Sequence, residues 1–176
     1  MHLHRGNLFL VGMPGSGKST LGRLLAKRLE KQFYDTDAEL ERRLGVTIPV
    51  IFELDGESGF RDREAVIIAE FVGYANVILA TGGGAVLRPP NRTALKQHGT
   101  VLYLHATPET LWERTRRSKH RPLLQAADPQ ARLRELYVFR DPIYREVADF
   151  VVESDSEQVV RLAQRLEQQL RSAASA

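Results

Sequence analysis

Short apolar runs alternate with longer segments of helical periodicity along this chain. The run at residues 7–11 (Leu8, Phe9, Leu10, Val11) predicts a strand. Leu21, Leu24, Leu25 and Leu29 then recur on one helix face, so residues 18–31 predict a helix. Residues 32–36 predict a second short strand, and 38–44 a helix that stops at Gly45. A short helix follows over 46–54, with Pro49 in its first turn, and another over 59–73. Residues 76–80 (Val77, Ile78, Leu79) read as a buried strand that runs into Gly82-Gly83-Gly84. Further along come a helix at 92–98, a strand at 100–104, a helix at 108–115 and a polar loop with two prolines at 118–129. A helix at 131–144 with Pro142 near its end, a strand at 150–152 and a helix at 158–170 complete the pattern, and 172–176 reads as a frayed tail. Strands alternating with helices imply an α/β fold: a parallel sheet covered on both faces, here as one domain over 1–176.

Residues 12–19 read Gly-Met-Pro-Gly-Ser-Gly-Lys-Ser, the G-x-x-x-x-G-K-[ST] pattern of a phosphate-binding loop. Chance would place its fixed positions in roughly one chain in a hundred of this length. Its setting, between a predicted strand and a predicted helix, is the one the motif requires. Glycines let successive N–H groups point at one anion, and the helix N-terminus adds positive charge. Lys18 would reach the β- and γ-phosphates, and the Ser19 hydroxyl would ligate magnesium. In a parallel sheet, ligands bind at the carboxyl ends of strands. The other candidate groups fall there too: Asp35 and Asp37 after the second strand, and Gly82–Gly84 after the third.

Composition narrows the picture only slightly. The 25 basic residues against 22 acidic ones leave a net charge of +3, too small an excess to argue for nucleic acid, though it suits anionic ligands. There is no cysteine, which excludes disulfides, thiolate metal sites and a cysteine nucleophile. No apolar run approaches the length of a membrane span, and the phosphate loop follows the N-terminus too closely for a signal peptide. A cytoplasmic protein is the expectation.

Phosphoryl transfer needs an acid near the metal and a positioned acceptor. The apolar strand at 76–80 ends in Ala80-Thr81 and offers no carboxylate, so Asp35 and Asp37 are the nearest candidates. Alternation in an extended segment would put both on one side, with Thr36 opposed. One could hold a metal-bound water and the other could take or orient an acceptor proton. The competing role for Asp37 is the N-cap of the next helix. Arg61 and Arg140 each offer a fork that can grip a carboxylate, or can be solvated helix residues. Arg121, before Pro122-Leu123-Leu124 in the predicted loop, could neutralise a transferring phosphoryl group from a closing lid. The three glycines suggest close backbone approach to a ligand. The histidines show no zinc-ligand spacing, and His98, His105 and His120 read as isolated.

Taken in order, these residues resemble the shikimate kinase family. The resemblance runs through 12–20, Asp35-Thr36-Asp37, Ile51-Phe52, Gly56-Glu57, Phe60-Arg61 to Glu64, Thr81–Gly84, Arg121–Leu124, and Arg140 with Tyr144. It implies a three-layer P-loop kinase fold of the nucleoside-monophosphate-kinase type. A five-stranded parallel sheet is flanked by helices, with a lid at about 114–127. It also implies transfer of the ATP γ-phosphate to the 3-hydroxyl of shikimate, with Mg2+ as cofactor, on the route to chorismate. Gly15, Ser16, Gly17, Lys18, Ser19 and Thr20 would bind the ATP phosphates, Ser19 the metal, and Asp35 the metal through water. Asp37 would hold shikimate hydroxyls and act as base. Arg61 and Arg140 would clamp the carboxylate, Glu64 would orient Arg61, and Gly82 and Gly83 would offer N–H groups to the ring. Arg121 would serve as the catalytic lid residue and Arg114 would stack on adenine. The segment 153–158 carries no pattern that assigns further adenine contacts. The implied partners are the small molecules shikimate and ATP, with no nucleic acid or membrane, and a monomer. The basic run Arg114, Arg116, Arg117, Lys119 and Arg121 coincides with the lid. The rivals are another small-metabolite kinase of the gluconate kinase kind, or a non-catalytic nucleotide-binding module. The first lacks the paired arginine clamp, and the second should have lost Lys18, Asp37 or Arg121.

Overall fold

The strand residues separate by parity, and that separation builds the two faces of the sheet. In a computed structural model of the chain, residues 6–117, 126–155 and 157–174 are described. Its strands are β1 (Leu8–Val11), β2 (Gln32–Asp35), β3 (Val77–Ala80), β4 (Thr100–His105) and β5 (Phe150–Glu153). All pairings are parallel, in the order β2-β3-β1-β4-β5. Phe9, Val11, Val77, Leu79, Val101 and Tyr103 point to one apolar layer. Leu8, Leu10, Ile78, Leu102 and Leu104 point to the other. Period-two alternation in strands buried on both faces produces this division. β1, β3 and β4 are buried throughout, whereas β2 and β5, at the edges, have exposed positions.

The helices are α1 (Lys18–Leu29), α2 (Thr36–Leu44), α3 (Ile48–Phe71), α4 (Pro89–His98), α5 (Pro108–Thr115), α6 (Pro129–Val147) and α7 (Val159–Ala174). α1 and α7 cover one face, through Leu21, Leu25, Leu162, Ala163 and Leu166. Residues of α3 to α6 cover the other, including Phe60, Ile68, Leu95, Leu111, Leu133 and Tyr144. Helix starts follow side-chain chemistry. Thr107 caps α5 by accepting from the Thr110 N–H, and Asp128 caps α6 by accepting from that of Ala131. Pro108 and Pro129 sit just inside those starts, where a missing N–H costs nothing.

The sheet and the element order agree with the sequence reading, and the differences lie at element ends. The segments expected as separate helices at 46–54 and 59–73 form one element, α3, broken at Gly56, whose φ of 68° no helix accommodates. Thr36 begins α2 instead of closing a strand, because Asp35 caps the helix with its own carboxylate. α6 starts at Pro129 and continues past Pro142 to Val147. Arg114 and Thr115, placed at the edge of the expected lid, belong to α5. Residues 118–125 of that lid lie outside the described residues. The expected frayed tail is helical as far as Ala174.

Candidate active site

A cavity of about 580 Å³ opens at the carboxyl ends of the strands. Its floor is the phosphate loop between β1 and α1. Gly17, the residue before α1, has a φ of 96°, a left-handed conformation that glycine adopts without strain. The turn closes with a hydrogen bond of 3.1 Å from the Ser16 N–H to the Met13 carbonyl. The Lys18 ammonium is held by the carbonyls of Gly12 (2.8 Å) and Met13 (2.9 Å). Ser19 donates its hydroxyl hydrogen to Asp35 Oδ2. Gly15, Ser16, Gly17, Lys18, Ser19 and Thr20 all line the cavity.

Asp35 therefore has two tasks. Its Oδ1 accepts from the N–H groups of Asp37 (2.9 Å) and Ala38 (3.1 Å), and its Oδ2 meets Ser19. The helix cap, the competing role weighed for Asp37, thus falls to Asp35. Asp35 and Asp37 both line the cavity, as expected, but by a different geometry. Asp35 ends a strand and Asp37 lies in the first turn of α2. Thr36 between them is fully buried, and its Oγ1 accepts from the Gly82 N–H at 2.8 Å. The Gly82 N–H, expected to face a ligand, is thus committed to the protein.

The opposite wall is α3 and α6. Arg61 and Arg140 are 7% and 2% exposed, far from the solvated alternative. Arg61 Nη1 donates to Glu64 Oε1 at 2.8 Å, and Glu64 has no exposure at all. A Cβ at Gly84 would strike the Arg61 guanidinium, which would have to shift to admit it. Among the described residues, the buried side-chain polar atoms without a hydrogen-bond partner in the protein are Asp37 Oδ1, Arg61 Nε, Glu64 Oε2 and Arg140 Nε. All four belong to this one region, and buried polar atoms left unpaired are costly unless a ligand pairs them. Burial is the main cause that pushes the Asp37 carboxyl up from 3.8 to about 7, and the charges of Glu64 and Asp35 add to it. Lys18 and Arg61 pull the other way. Glu64 also moves up, because burial outweighs the attraction of Arg61 and Arg140.

On the far side of the phosphate loop, Arg114 lines the cavity, but its donors face carbonyls. Nη1 reaches Gly15 O and Ser16 O at 3.4 Å, and Nη2 reaches Ser154 O at 3.2 Å. It ties the phosphate loop to the segment after β5. Ser154 and its neighbour Asp155, which accepts from the Thr107 N–H, were missed in the sequence. Their place after a strand's carboxyl end was the available signal. His105, read as isolated, lies 2.6 Å from Glu153 Oε2 and 2.7 Å from the Tyr137 hydroxyl. Arg121 and His120 lie outside the described residues.

A hydroxyl and a carboxylate meeting at a phosphate loop are hard oxygen donors of the kind Mg2+ takes. Among the described residues there is no cluster of three or more acidic, histidine or cysteine side chains that could hold a metal alone. Ser19 and Asp35 thus suit an ion that completes its shell with phosphate and water.

Phosphate loop, parallel sheet and acid-lined cavity define a P-loop kinase. The shikimate kinase profile matches residues 14–171. The chain is 59% identical over 165 residues to a shikimate kinase of Nitrosospira multiformis, covering 94% of this chain and 85% of that one. It is 56% identical to one of Cupriavidus pinatubonensis, covering 98% and 90%. A solved shikimate kinase from Acinetobacter baumannii in complex with shikimate superposes with a TM-score of 0.92 at 48% identity, covering 96% of this chain and 94% of that one. The chain belongs to the shikimate kinase family. Among the described residues, no helix is long and apolar enough to cross a membrane.

The Asp37 shift has a consequence for stability. The folded protein keeps a proton up to about pH 7 that the unfolded chain releases near 3.8. The unfolded state thus binds fewer protons in that window, and the ligand-free protein loses stability as pH rises through it. Asp37→Asn removes the loss. Calorimetry should show the Asn variant gaining several degrees more over wild type at about pH 8 than at about pH 5. Equal gains at both would mean that Asp37 does not titrate in this window.

Proposed function

We propose that the protein transfers the γ-phosphoryl group of ATP to the 3-hydroxyl of shikimate, giving shikimate 3-phosphate and ADP. The observation that carries this reading is the pair of buried guanidinium groups, Arg61 and Arg140. They share a cavity with a carboxylate of raised pKa beside a phosphate loop. Shikimate is a small carboxylate bearing three hydroxyls. Its anionic end matches the two guanidinium groups, and its hydroxyls match Asp37.

Each step has a side chain suited to it. Shikimate's carboxylate pairs with the Arg61 and Arg140 guanidinium groups that line the cavity. Asp37 accepts the 3-hydroxyl proton, and a carboxyl poised near neutrality is well matched to that task. The oxygen attacks the γ-phosphorus in line as the bond to the bridging oxygen of ADP breaks. Lys18 and the loop N–H groups balance the phosphate charge, and Gly83 lies beside the ring. Mg2+ held by Ser19, and by Asp35 through water, would neutralise charge on the phosphates. Arg114 flanks the adenine side. Arg121 enters on its place in the sequence, as the lid cation that accompanies water exclusion. The reaction uses two small molecules and one copy of the chain, as expected of a monomer in the cytoplasm. Gluconate also bears a carboxylate that such a pair could grip, so it is the family match that favours shikimate over it.

Three measurements test the proposal. A coupled ADP assay with MgATP should give turnover with shikimate well above that with quinate or gluconate. A folded protein inactive on shikimate refutes the assignment. Asp37→Asn should lower kcat by roughly a hundredfold to ten-thousandfold while ATP still binds. An unchanged kcat removes Asp37 from the chemistry. Gly84→Ala displaces Arg61 without altering it, and should raise the shikimate KM by roughly tenfold with the MgATP KM little changed. A rise confined to ATP would separate Arg61 from the acceptor.

A further inference from the structure

The two arginines of the acceptor wall are held in different ways. Arg61 is steered by a carboxylate, Glu64, at 2.8 Å. Arg140 forms no ion pair among the described residues, is only 2% exposed, and leaves Nε without a partner in the protein. A buried guanidinium with five donors needs something to fix its plane. One helical turn further along α6, on the same face, stands Tyr144, which has no exposure. Its hydroxyl donates to the Gly83 carbonyl. The Arg140 charge acts on the same hydroxyl, opposing the upward push that burial gives the phenol.

We propose that Tyr144 is a positioning residue of the acceptor site, its hydroxyl fixing Arg140 and the Gly83 backbone relative to one another. The inference rests on the acceptor reading given above. Packing alone does not call for a tyrosine. The ring lies against Tyr103 with centroids 4.9 Å apart, and phenylalanine would fill that space equally well. The hydroxyl is the part that burial penalises, and it is retained with the Gly83 carbonyl as its acceptor and the Arg140 charge one turn back on the same helix face. Gly83 is itself confined, since a Cβ there would come within 2.7 Å of the Pro14 ring in the phosphate loop. The hydroxyl thus links the helix face that carries Arg140 to a turn packed against the phosphate loop. Its charge also matters. A carboxylate in this place would neutralise much of Arg140, whereas a phenol orients the guanidinium and leaves its full charge for the ligand's carboxylate.

The test is Tyr144→Phe, alone and combined with Arg140→Ala, assayed with shikimate and MgATP varied in turn. In the wild-type background the shikimate KM should rise by roughly tenfold, with kcat and the MgATP KM within about twofold. In the Arg140→Ala background the same change should add nothing. The thermal shift produced by shikimate, read beside each variant's own melting temperature, gives the same comparison for a variant of reduced stability. An unchanged shikimate KM, an equal effect without Arg140, or a rise in both KM values with a fall in melting temperature would overturn the role. Wild-type protein that fails to turn over shikimate would defeat the acceptor reading and this inference with it. Turnover by wild type with no effect of Tyr144→Phe would defeat this inference alone.

Discussion

The buried pair of Arg61 with Glu64 is the contact on which the acceptor wall depends. Glu64 is sealed from solvent, and removing Arg61 would leave its buried charge without an ion-pair partner, at a cost of about 3–5 kcal/mol. The pair also shapes its surroundings. Glu64 lies against Gly82 and Arg61 against Gly84, so a side chain at either position of the turn after β3 would displace one member of the pair. The negative charge of Glu64 is one reason why Asp37 holds its proton more tightly than an ordinary aspartate. A structural ion pair and a chemically useful carboxyl are thus one electrostatic arrangement.

The backbone delivers these groups through helix and strand ends. Asp35 closes β2, caps α2 and meets Ser19 of α1. Thr36 ties the start of α2 to the Gly82 N–H after β3. Arg114 ties α5 to the phosphate loop and to the end of β5. Each joint uses a polar group that would otherwise be unsatisfied at the end of an element. The cavity is therefore bounded by committed hydrogen bonds, and the unpaired buried polar atoms belong to residues of one region beside it.

Much of this was legible in the sequence. Parity in the apolar strands, the spacing of Leu21, Leu24, Leu25 and Leu29, and the phosphate-loop motif are local signals, and sheet, helix α1 and loop follow them. Arg61 and Arg140 were identified through their ordered resemblance to a family. Nothing local distinguishes a buried arginine from a solvated one, because burial is decided by elements far away in the chain. The same reason hid the bond from Gly82 to Thr36, which joins residues 46 apart, and the His105 contacts with Glu153 and Tyr137. Asp35 as cap was a near miss. Asp35 and Asp37 are both good capping residues, and the choice between them turned on where β2 releases the chain.

The strand order carries a lesson for ligand chemistry. β1, with the phosphate loop, is central; Asp35, Asp37 and the glycine turn follow β2 and β3, while Arg114 and Ser154 gather beyond β4 and β5. These two sets of residues thus lie on opposite flanks of one sheet. A single inhibitor joining the two sets would need to cross four interstrand spacings, roughly 19 Å. It would also pass over the phosphate loop at its midpoint. A linker of that reach carrying an anionic group at its centre would follow the contour the sheet lays down.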